Sequence, residues 1–194
     1  TFFMRDKIVH IVVFIVFLRA GEYLLGIMRG PFMVDLGIKV HIGWISGGVA
    51  IPASIFGAIS GGYLISKKGM VKTAVPIILF QNFTNLLYAL LAFYFAGNVI
   101  TDNYGIAAVA LVNGIESFSS GMGTALLMIF LINLCSKEFK AAHYAIGSGL
   151  MAITGAILNS FSGIVAESTG YGWFFVISFF AAMPALLFFR KELV

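Results

Sequence analysis

Charged residues are scarce in this chain of 194 residues: Asp, Glu, Lys and Arg together make up only 10%, against about a quarter of an ordinary soluble domain. Hydrophobic residues make up 60%, and the mean hydropathy is +1.02. This composition excludes a soluble domain and places the chain in a lipid bilayer. Since roughly 20 apolar residues cross a hydrocarbon core of about 30 Å, the length allows six spans with short connections.

Cysteine is almost missing too, because Cys135 is the only one. It has no second cysteine for an intrachain disulfide and no partner for a metal site. The histidines His10, His41 and His143 lie near span ends, without the spacing or the carboxylate neighbours of a metal site. The glycine-rich run 119–124 lacks the lysine that a phosphate-binding loop requires. We therefore expect no metal, no cofactor and no catalytic site, so the protein is predicted not to be an enzyme.

A nucleic-acid partner is also not expected. The formal net charge is +4, but the basic residues sit at the ends of apolar runs and form no dense patch with interleaved aromatic residues. No signal-peptide pattern precedes the first apolar run, and the chain opens at Thr1 without an initiator methionine, which is typical of a piece of a longer protein.

What the sequence does contain is a series of long apolar runs. Their continuous hydrophobicity differs from the alternating pattern of barrel strands and predicts helices, which satisfy their own backbone groups in lipid. The expected fold is an all-α integral membrane protein with a single six-helix domain at residues 1–194. The predicted spans are 8–28, 42–65, 73–96, 104–134, 141–166 and 171–189. Breaks such as Arg29-Gly30-Pro31 separate them.

Lysine and arginine are distributed unequally between the two ends of these spans. Nine lie at the chain ends and in the second and fourth loops, and two, Arg29 and Lys39, lie in the opposite loops. The positive-inside rule therefore predicts that both termini are cytoplasmic. The nine residues are Arg5, Lys7, Lys67, Lys68, Lys72, Lys137, Lys140, Arg190 and Lys191.

Arg19 and Glu22 are ionisable residues inside the first predicted span, where a charge costs at least ~2.5 to 3.5 kcal/mol. Since they are three positions apart, they share one helix face and can pair. Two interpretations stay open. The two residues form a mutually neutralising pair that fixes helix packing, or Arg19 faces a wet cavity and binds an anionic group while Glu22 holds it or exchanges a proton.

Glu116 is the third such residue. Asn113 lies one turn before it, and Ser120 and Gly123 continue the same polar, small-surfaced helix face. Because a low dielectric penalises the charged form of a carboxyl group, Glu116 is a candidate for proton coupling. The alternative is a protonated Glu116 that is hydrogen-bonded to a neighbouring helix.

Small residues and side-chain amides also occur within the predicted spans. The four-residue spacing of the small residues predicts close approach of helix backbones. The sets are Gly43 and Gly47, Gly57 and Gly61, and Gly155, Asn159 and Gly163. Four amides are either hydrogen-bond partners between helices, the interpretation favoured for most, or cavity lining: Gln81, Asn82, Asn85 and Asn159.

The segment 61–72 resembles the cytoplasmic loop motif of the major facilitator superfamily, in which glycine, a small spacer, an acidic residue, a basic residue, glycine and a basic residue follow one another. Ser66 occupies the usual acidic position. The resemblance implies a conformational loop between the second and third helices of a six-helix half, on the cytoplasmic side. The residues that carry it are Gly62, Lys67, Lys68, Gly69 and Lys72.

A closer resemblance to the AmpG-type muropeptide permeases covers nearly the whole chain. It is most specific in segment 116–124, which ends in Gly-Met-Gly-Thr, and continues through 163–174. Arg19 and Glu22 look like the arginine and acidic pair of that family, and segment 31–37 resembles its first external loop. The resemblance maps the chain to helices seven to twelve of a twelve-helix carrier.

What this resemblance implies is proton-driven import of anhydromuropeptides, or a related anionic solute, across the bacterial inner membrane. Acetyl-CoA transporters and other major facilitator carriers are similar, so they stay as alternatives. The carrier design places substrate between two six-helix halves, so the expected partners are the lipid bilayer, the solute, protons, and an N-terminal half or a second copy. An alternative of another class is a truncated membrane remnant that transports nothing.

Overall fold

The computed structural model describes residues 8–135 and 140–188, and helices account for nearly all of them. The described residues contain no β-strand, so the predicted all-α fold class is confirmed. The elements in chain order are α1 (Ile8–Leu18), α2 (Ala20–Asp35), a 3-10 turn (Lys39–His41), α3 (Ile42–Trp44), a π-helical segment (Ile45–Ala50), α4 (Ile51–Lys68), α5 (Met70–Phe95), α6 (Asn103–Leu134), α7 (Lys140–Ala181) and α8 (Met183–Phe188).

Five stretches of the described chain are long and apolar enough to cross a bilayer. The last of them, Ala141–Leu186, has 46 residues. At 1.5 Å per residue a straight helix of that length would measure about 69 Å, more than twice the thickness of a hydrocarbon core. Gly170 interrupts it with a φ of 76° and a ψ of 159°. A positive φ favours glycine, so this residue is where the stretch divides.

The chain reverses direction at Gly170. Before it, Gly147 lies against the Leu131 side chain, near the end of α6. Directly after it, the Tyr171 hydroxyl donates a hydrogen bond of 2.7 Å to Asp35, the last residue of α2. The chain then returns to the opposite end of the bundle, where α8 packs against α1. The fifth stretch therefore makes two passes, which agrees with six transmembrane helices.

The first span ends later than predicted. The break expected at Arg29-Gly30-Pro31 does not occur, because α2 continues to Asp35 with Pro31 inside the helix. Membrane helices tolerate proline because neighbouring groups satisfy the backbone that it frees. The consequence is that Arg29 belongs to a membrane helix and not to an external loop.

Two apolar cores lie at opposite ends of the bundle. One is built on α1, the start of α5 and the end of α6, and the other on α2, the end of α5 and the start of α6. Buried polar side chains of α5 and α6 lie between the two cores in sequence and in space, from Gln81 to Asn85 and from Asn113 to Ser119. The bundle therefore carries a polar layer at its mid-depth.

Glycine brings α4 and α6 into backbone contact, as the spacing of Gly57 and Gly61 predicts. A Cβ atom added to Gly57 would lie 1.9 Å from the Phe118 carbonyl oxygen, and one added to Gly61 would lie 2.9 Å from the Met122 Cα. Neither position has room for a side chain. Such close approach replaces the hydrophobic driving force that is missing between helices in lipid. The same prediction is wrong where an added Cβ would meet nothing of the described chain within 4 Å, at Gly43, Gly47 and Gly163.

The loop motif lies at the junction of α4 and α5. Gly62, Lys67 and Lys68 are in α4 and Lys72 is in α5, with Gly69 between them at a φ of 81°. The predicted location between the second and third spans therefore agrees with the structure. Several residues of the charge count lie outside the described residues: Arg5, Lys7, Lys137, Arg190 and Lys191.

Candidate functional site

A polar cavity of about 640 Å³ opens at the mid-depth of the bundle. Side chains from α2, the π-helical segment, α4, α6 and α7 line it, so residues distant in sequence meet there. A π-helical turn is rare, and such turns are frequent at functional sites. The polar residues of the lining are Glu22, Tyr23, Arg29, Ser46, Ser54, Glu116, Ser117, Ser120 and Asn159.

Glu116 forms an ion pair with Arg29 at the cavity wall. The Arg29 Nη1 atom donates to the Glu116 Oε2 atom at 2.8 Å, and the Ser117 hydroxyl donates to the same oxygen at 3.3 Å. The Glu116 side chain is only 6% exposed, whereas that of Arg29 is 29% exposed. The carboxylate is thus largely buried behind its partner, and the guanidinium is the more accessible of the two charges.

Glu22 is the centre of a second network. Its carboxylate accepts hydrogen bonds from the Arg19 guanidinium, the Gln81 amide and the Ser120 hydroxyl, which come from three parts of the chain. The predicted pairing of Arg19 with Glu22 is therefore present. Because a buried polar group needs hydrogen-bond partners, the three donors satisfy the Glu22 side chain at this depth.

Arg19 lies behind Glu22, outside the set of described residues that line the cavity. Its Nη1 atom donates to the Thr124 hydroxyl at 2.9 Å, and that hydroxyl donates in turn to the Ser120 carbonyl oxygen at 2.9 Å. Arg19 is thus held by Glu22 of α2 and by Thr124 of α6. The geometry favours a packing role for Arg19 between α1, α2 and α6, one of the two interpretations that the sequence left open.

Asn113 is fully buried on α6, one turn from Glu116. Its amide oxygen accepts a hydrogen bond from the Ser117 hydroxyl at 3.5 Å, the same hydroxyl that contacts Glu116. The described cavity lining does not include it. Asn113 therefore lies behind the ion pair, and the Ser117 hydroxyl lies between its amide oxygen and Glu116.

The four amides differ in their contacts. Gln81 donates to Glu22 across helices, as favoured, whereas Asn82 donates to the Ile78 carbonyl oxygen of its own helix at 2.7 Å. These two and Asn85 are buried among helices, whereas Asn159 of α7 lines the cavity. Among the described hydrogen bonds of these amides, the interhelical role is therefore present for Gln81, and cavity lining is present for Asn159.

Arg29 is the functional candidate that sequence reasoning missed. The Gly30-Pro31 pair that follows Arg29 predicts a loop there, and an arginine in a loop indicates only which side of the membrane the loop is on. If the helix continues through Pro31, Arg29 lies seven positions after Glu22, which is two turns and the same face. That spacing is the signal that could have found it.

Metal chemistry finds no support in the described part of the chain. No group of three or more His, Cys, Asp and Glu side chains comes together among residues 8–135 and 140–188. The ring of His41 instead accepts a hydrogen bond of 3.0 Å from the Trp44 indole. The absence of a metal and of any other cofactor stays a prediction.

Taken together, several apolar helices of membrane-crossing length and charged residues around a mid-depth cavity define an all-α polytopic membrane protein. The comparisons with known proteins point the same way. No protein-family model matches the chain. Curated relatives do match, and their names describe permeases or transporters.

The matching relatives are named either AmpG transporters or anhydromuropeptide permeases. The chain is 27% identical over 186 residues to a transporter named AmpG 4 of Rickettsia felis, which covers 95% of this chain and 43% of the relative. It is 27% identical over 188 residues to the anhydromuropeptide permease of Escherichia coli K12, with 96% and 37% covered. It is 26% identical over 185 residues to AmpG 1 of Rickettsia prowazekii, with 95% and 40% covered.

The resemblance to the AmpG-type permeases is therefore confirmed over nearly the whole chain. The chain spans about two fifths of the length of these relatives.

Proposed function

We propose that the chain is one six-helix half of a proton-coupled AmpG-type permease that imports anhydromuropeptides across the bacterial inner membrane. The observation that carries this proposal is the 640 Å³ cavity with the Arg29–Glu116 ion pair in its wall. Charged side chains in a membrane bundle are costly and typically mark a solute or proton path. The protein acts on its solute by carrying it, so we infer that it is not an enzyme.

The lining of the cavity fits a hydrated, hydrogen-bonding solute. Hydroxyl groups of Ser46, Ser54, Ser117 and Ser120 and the Asn159 amide surround the ion pair. A sugar or peptide solute offers the hydroxyl, amide and carboxylate groups that such a surface recognises. Acetyl-CoA carriers and other major facilitator carriers are the alternative, and the substrate assay below separates them.

Arg29 is the best placed group for an anionic part of the solute. Its guanidinium reaches the cavity, and its geometry suits two parallel hydrogen bonds to a carboxylate. Arg19, the candidate from sequence, acts through Glu22 in this proposal: it keeps that carboxylate in place without touching the solute. Asn113 likewise positions Glu116 through Ser117.

Proton coupling in this scheme uses the competition for Arg29. The Arg29 guanidinium donates to the Glu116 carboxyl group. When Glu116 takes up a proton, it loses its charge, its bond to Arg29 weakens, and Arg29 becomes available to a solute carboxylate. Release of the proton restores the ion pair and expels the solute. Glu22 is a second coupling candidate because it faces the same cavity.

A partner completes the carrier. The cavity is lined by one six-helix bundle, whereas alternating access rocks two bundles around a central site. We propose that an N-terminal half or a second copy covers the cavity. Both termini lie on the cytoplasmic side, as the lysines near Gly69 indicate, and the Gly62–Lys72 motif is a conformational loop there.

The test is uptake of radiolabelled anhydromuropeptide into vesicles that carry the intact protein, with and without a proton uncoupler. We expect uptake that the uncoupler abolishes and that excess unlabelled acetyl-CoA leaves unchanged. Uptake should also be lost in Glu116→Gln and Arg19→Ala, with normal amounts of inserted protein. Correctly inserted protein without uptake contradicts the muropeptide assignment, and uptake that survives the uncoupler contradicts proton coupling.

A further inference from the structure

A cluster of lysines without acidic neighbours lies where α4 meets α5. Residues 36–101 contain no aspartate or glutamate at all. Lys68 and Lys72 flank Gly69 and are exposed. The described residues place no carboxylate within ion-pair distance of either one, since the pairs found there are Arg19–Glu22 and Arg29–Glu116. This end of the bundle therefore carries positive charge that the described chain does not neutralise.

Next to these lysines the surface opens into a separate cleft of about 320 Å³. The cleft runs between α4, α5 and α6, and its lining shares no described residue with that of the charged cavity. Pro76 lies in its wall, within α5, where it removes one backbone hydrogen bond and disturbs helix packing. The apolar lining consists of Leu64, Pro76, Ile77, Phe80 and Met122.

The polar groups of the cleft gather on one part of its rim. Lys68 and Lys72 line it, and the Thr73 hydroxyl is engaged by the Gly69 carbonyl oxygen at 2.9 Å. Lys67 takes no part, because its ammonium group lies over the Tyr63 ring, 5.7 Å from the centroid. The cleft thus presents two cations above an apolar groove, and no carboxylate of residues 8–135 or 140–188 is paired with them.

We propose that this cleft binds one anionic phospholipid of the surrounding bilayer. The headgroup phosphate lies between the Lys68 and Lys72 ammonium groups, and an acyl chain follows the apolar lining past Ile77 and Phe80. The occupant must be both anionic and apolar, because a free phosphate leaves the groove unfilled and a zwitterionic lipid leaves the lysines without a net counter-charge. Basic pockets between membrane helices bind anionic headgroups in this way.

The site is independent of the transport proposal. It requires only that the chain lies in a bilayer, which the apolar spans establish. Its failure therefore leaves the charged cavity untouched, and a protein that transports nothing still retains the lipid.

The test is native mass spectrometry of the intact protein in detergent, titrated with phosphatidylglycerol. We expect one tightly retained lipid in the wild type and at least about tenfold weaker binding in Lys68→Gln/Lys72→Gln. The reason is that each lysine near an anionic headgroup raises the affinity by slightly less than about tenfold. The matched control, Lys39→Gln/Lys67→Gln, removes the same charge outside the cleft and should bind as the wild type does. Equal weakening in both double variants indicates diffuse attraction and overturns the proposal.

A second pair of measurements separates a lipid from a phosphate ion. Leu64→Trp fills the groove and keeps both lysines, so it should also lose the retained lipid. Glycerophosphoglycerol, the headgroup without acyl chains, should fail to displace phosphatidylglycerol at equal concentration. If it displaces the lipid, or if a folded Leu64→Trp protein retains it, the groove does not hold an acyl chain and the proposal is wrong.

Discussion

Arg29 and Glu116 meet from α2 and α6, and their pairing shows what a single residue reveals by itself. Glu116 could be found from the sequence because it is an acidic residue within a long apolar run, and membrane insertion penalises such a residue. Its partner could not be found in this way. The residues around Arg29 are the same whether its side chain lies in water or inside the bundle, because Gly30-Pro31 is compatible with both a loop and a membrane helix. Only the fold shows which of the two locations is correct.

The ion pair leads to a prediction about stability. Removing one partner leaves the other charge buried without compensation, so Arg29→Gln should lower the free energy of unfolding by about 2 kcal/mol. Glu116→Gln keeps the shape and removes the charge, and it should restore much of this loss when combined with Arg29→Gln. The measurement is the thermal unfolding midpoint of the four proteins of this double-mutant cycle in detergent.

The control for that cycle is Lys39→Gln, which removes an exposed charge at the end of the bundle and should leave the midpoint unchanged. Independent, additive effects of the two substitutions would mean that Arg29 and Glu116 do not interact energetically. In that case the competition for Arg29 that underlies the coupling scheme has no basis.

At the scale of the helix, the contact of α4 with α6 followed from local sequence and the end of α2 did not. Gly57 and Gly61 share one face at a spacing that specifies close approach. The course of α2 through Pro31 depends on neighbouring groups that accept a proline in the helix, as the fold shows. The π-helical segment before α4 was likewise not predictable from local sequence. Its wide turn is closed by a hydrogen bond from the Ile51 backbone N–H to the Ser46 carbonyl oxygen.

The close contact predicts different outcomes for two glycines of α4. A Cβ in Gly57→Ala would overlap the Phe118 carbonyl oxygen of α6, so α4 and α6 must separate at a cost of about 1 to 3 kcal/mol. Gly62→Ala is the matched control, because a Cβ there meets nothing within 4 Å and alanine favours the helix. Thermal unfolding in detergent should show a lower midpoint for the first variant alone. A midpoint that is the same in both variants would argue against the α4–α6 contact.

At the scale of the whole molecule, two apolar cores enclose a layer of polar side chains. The cores hold the ends of the bundle together, and the polar layer faces the cavity on one side. A carrier needs this division, because the site must be wet while the ends stay packed. The layer is assembled from spans that are far apart in sequence, so no single stretch of the chain displays it.

The six passes place the two ends of the second span on opposite sides of the membrane, which predicts their accessibility. Lys39 precedes this span and Lys67 ends it. In a Cys135→Ser background, Lys39→Cys should react with a membrane-impermeant maleimide in intact cells, and Lys67→Cys only after permeabilisation. The physical reason is the lysine excess around Gly69, which lies on the cytoplasmic side in the proposed orientation. The reverse pattern would invert the proposed orientation.

The sequence by itself determined that the chain lies in a membrane, that it is helical and roughly where it crosses, because the cost of exposing backbone or charge to lipid acts on each stretch separately. It also indicated that Arg19 can pair with Glu22, because residues three positions apart share one face of a predicted helix. Only the tertiary structure decided that Glu22 binds Gln81, that Arg29 reaches Glu116, and that Arg19 stands behind the cavity. Those contacts depend on how separate helices rotate and pack against one another, and that arrangement results from the whole bundle and not from any local pattern.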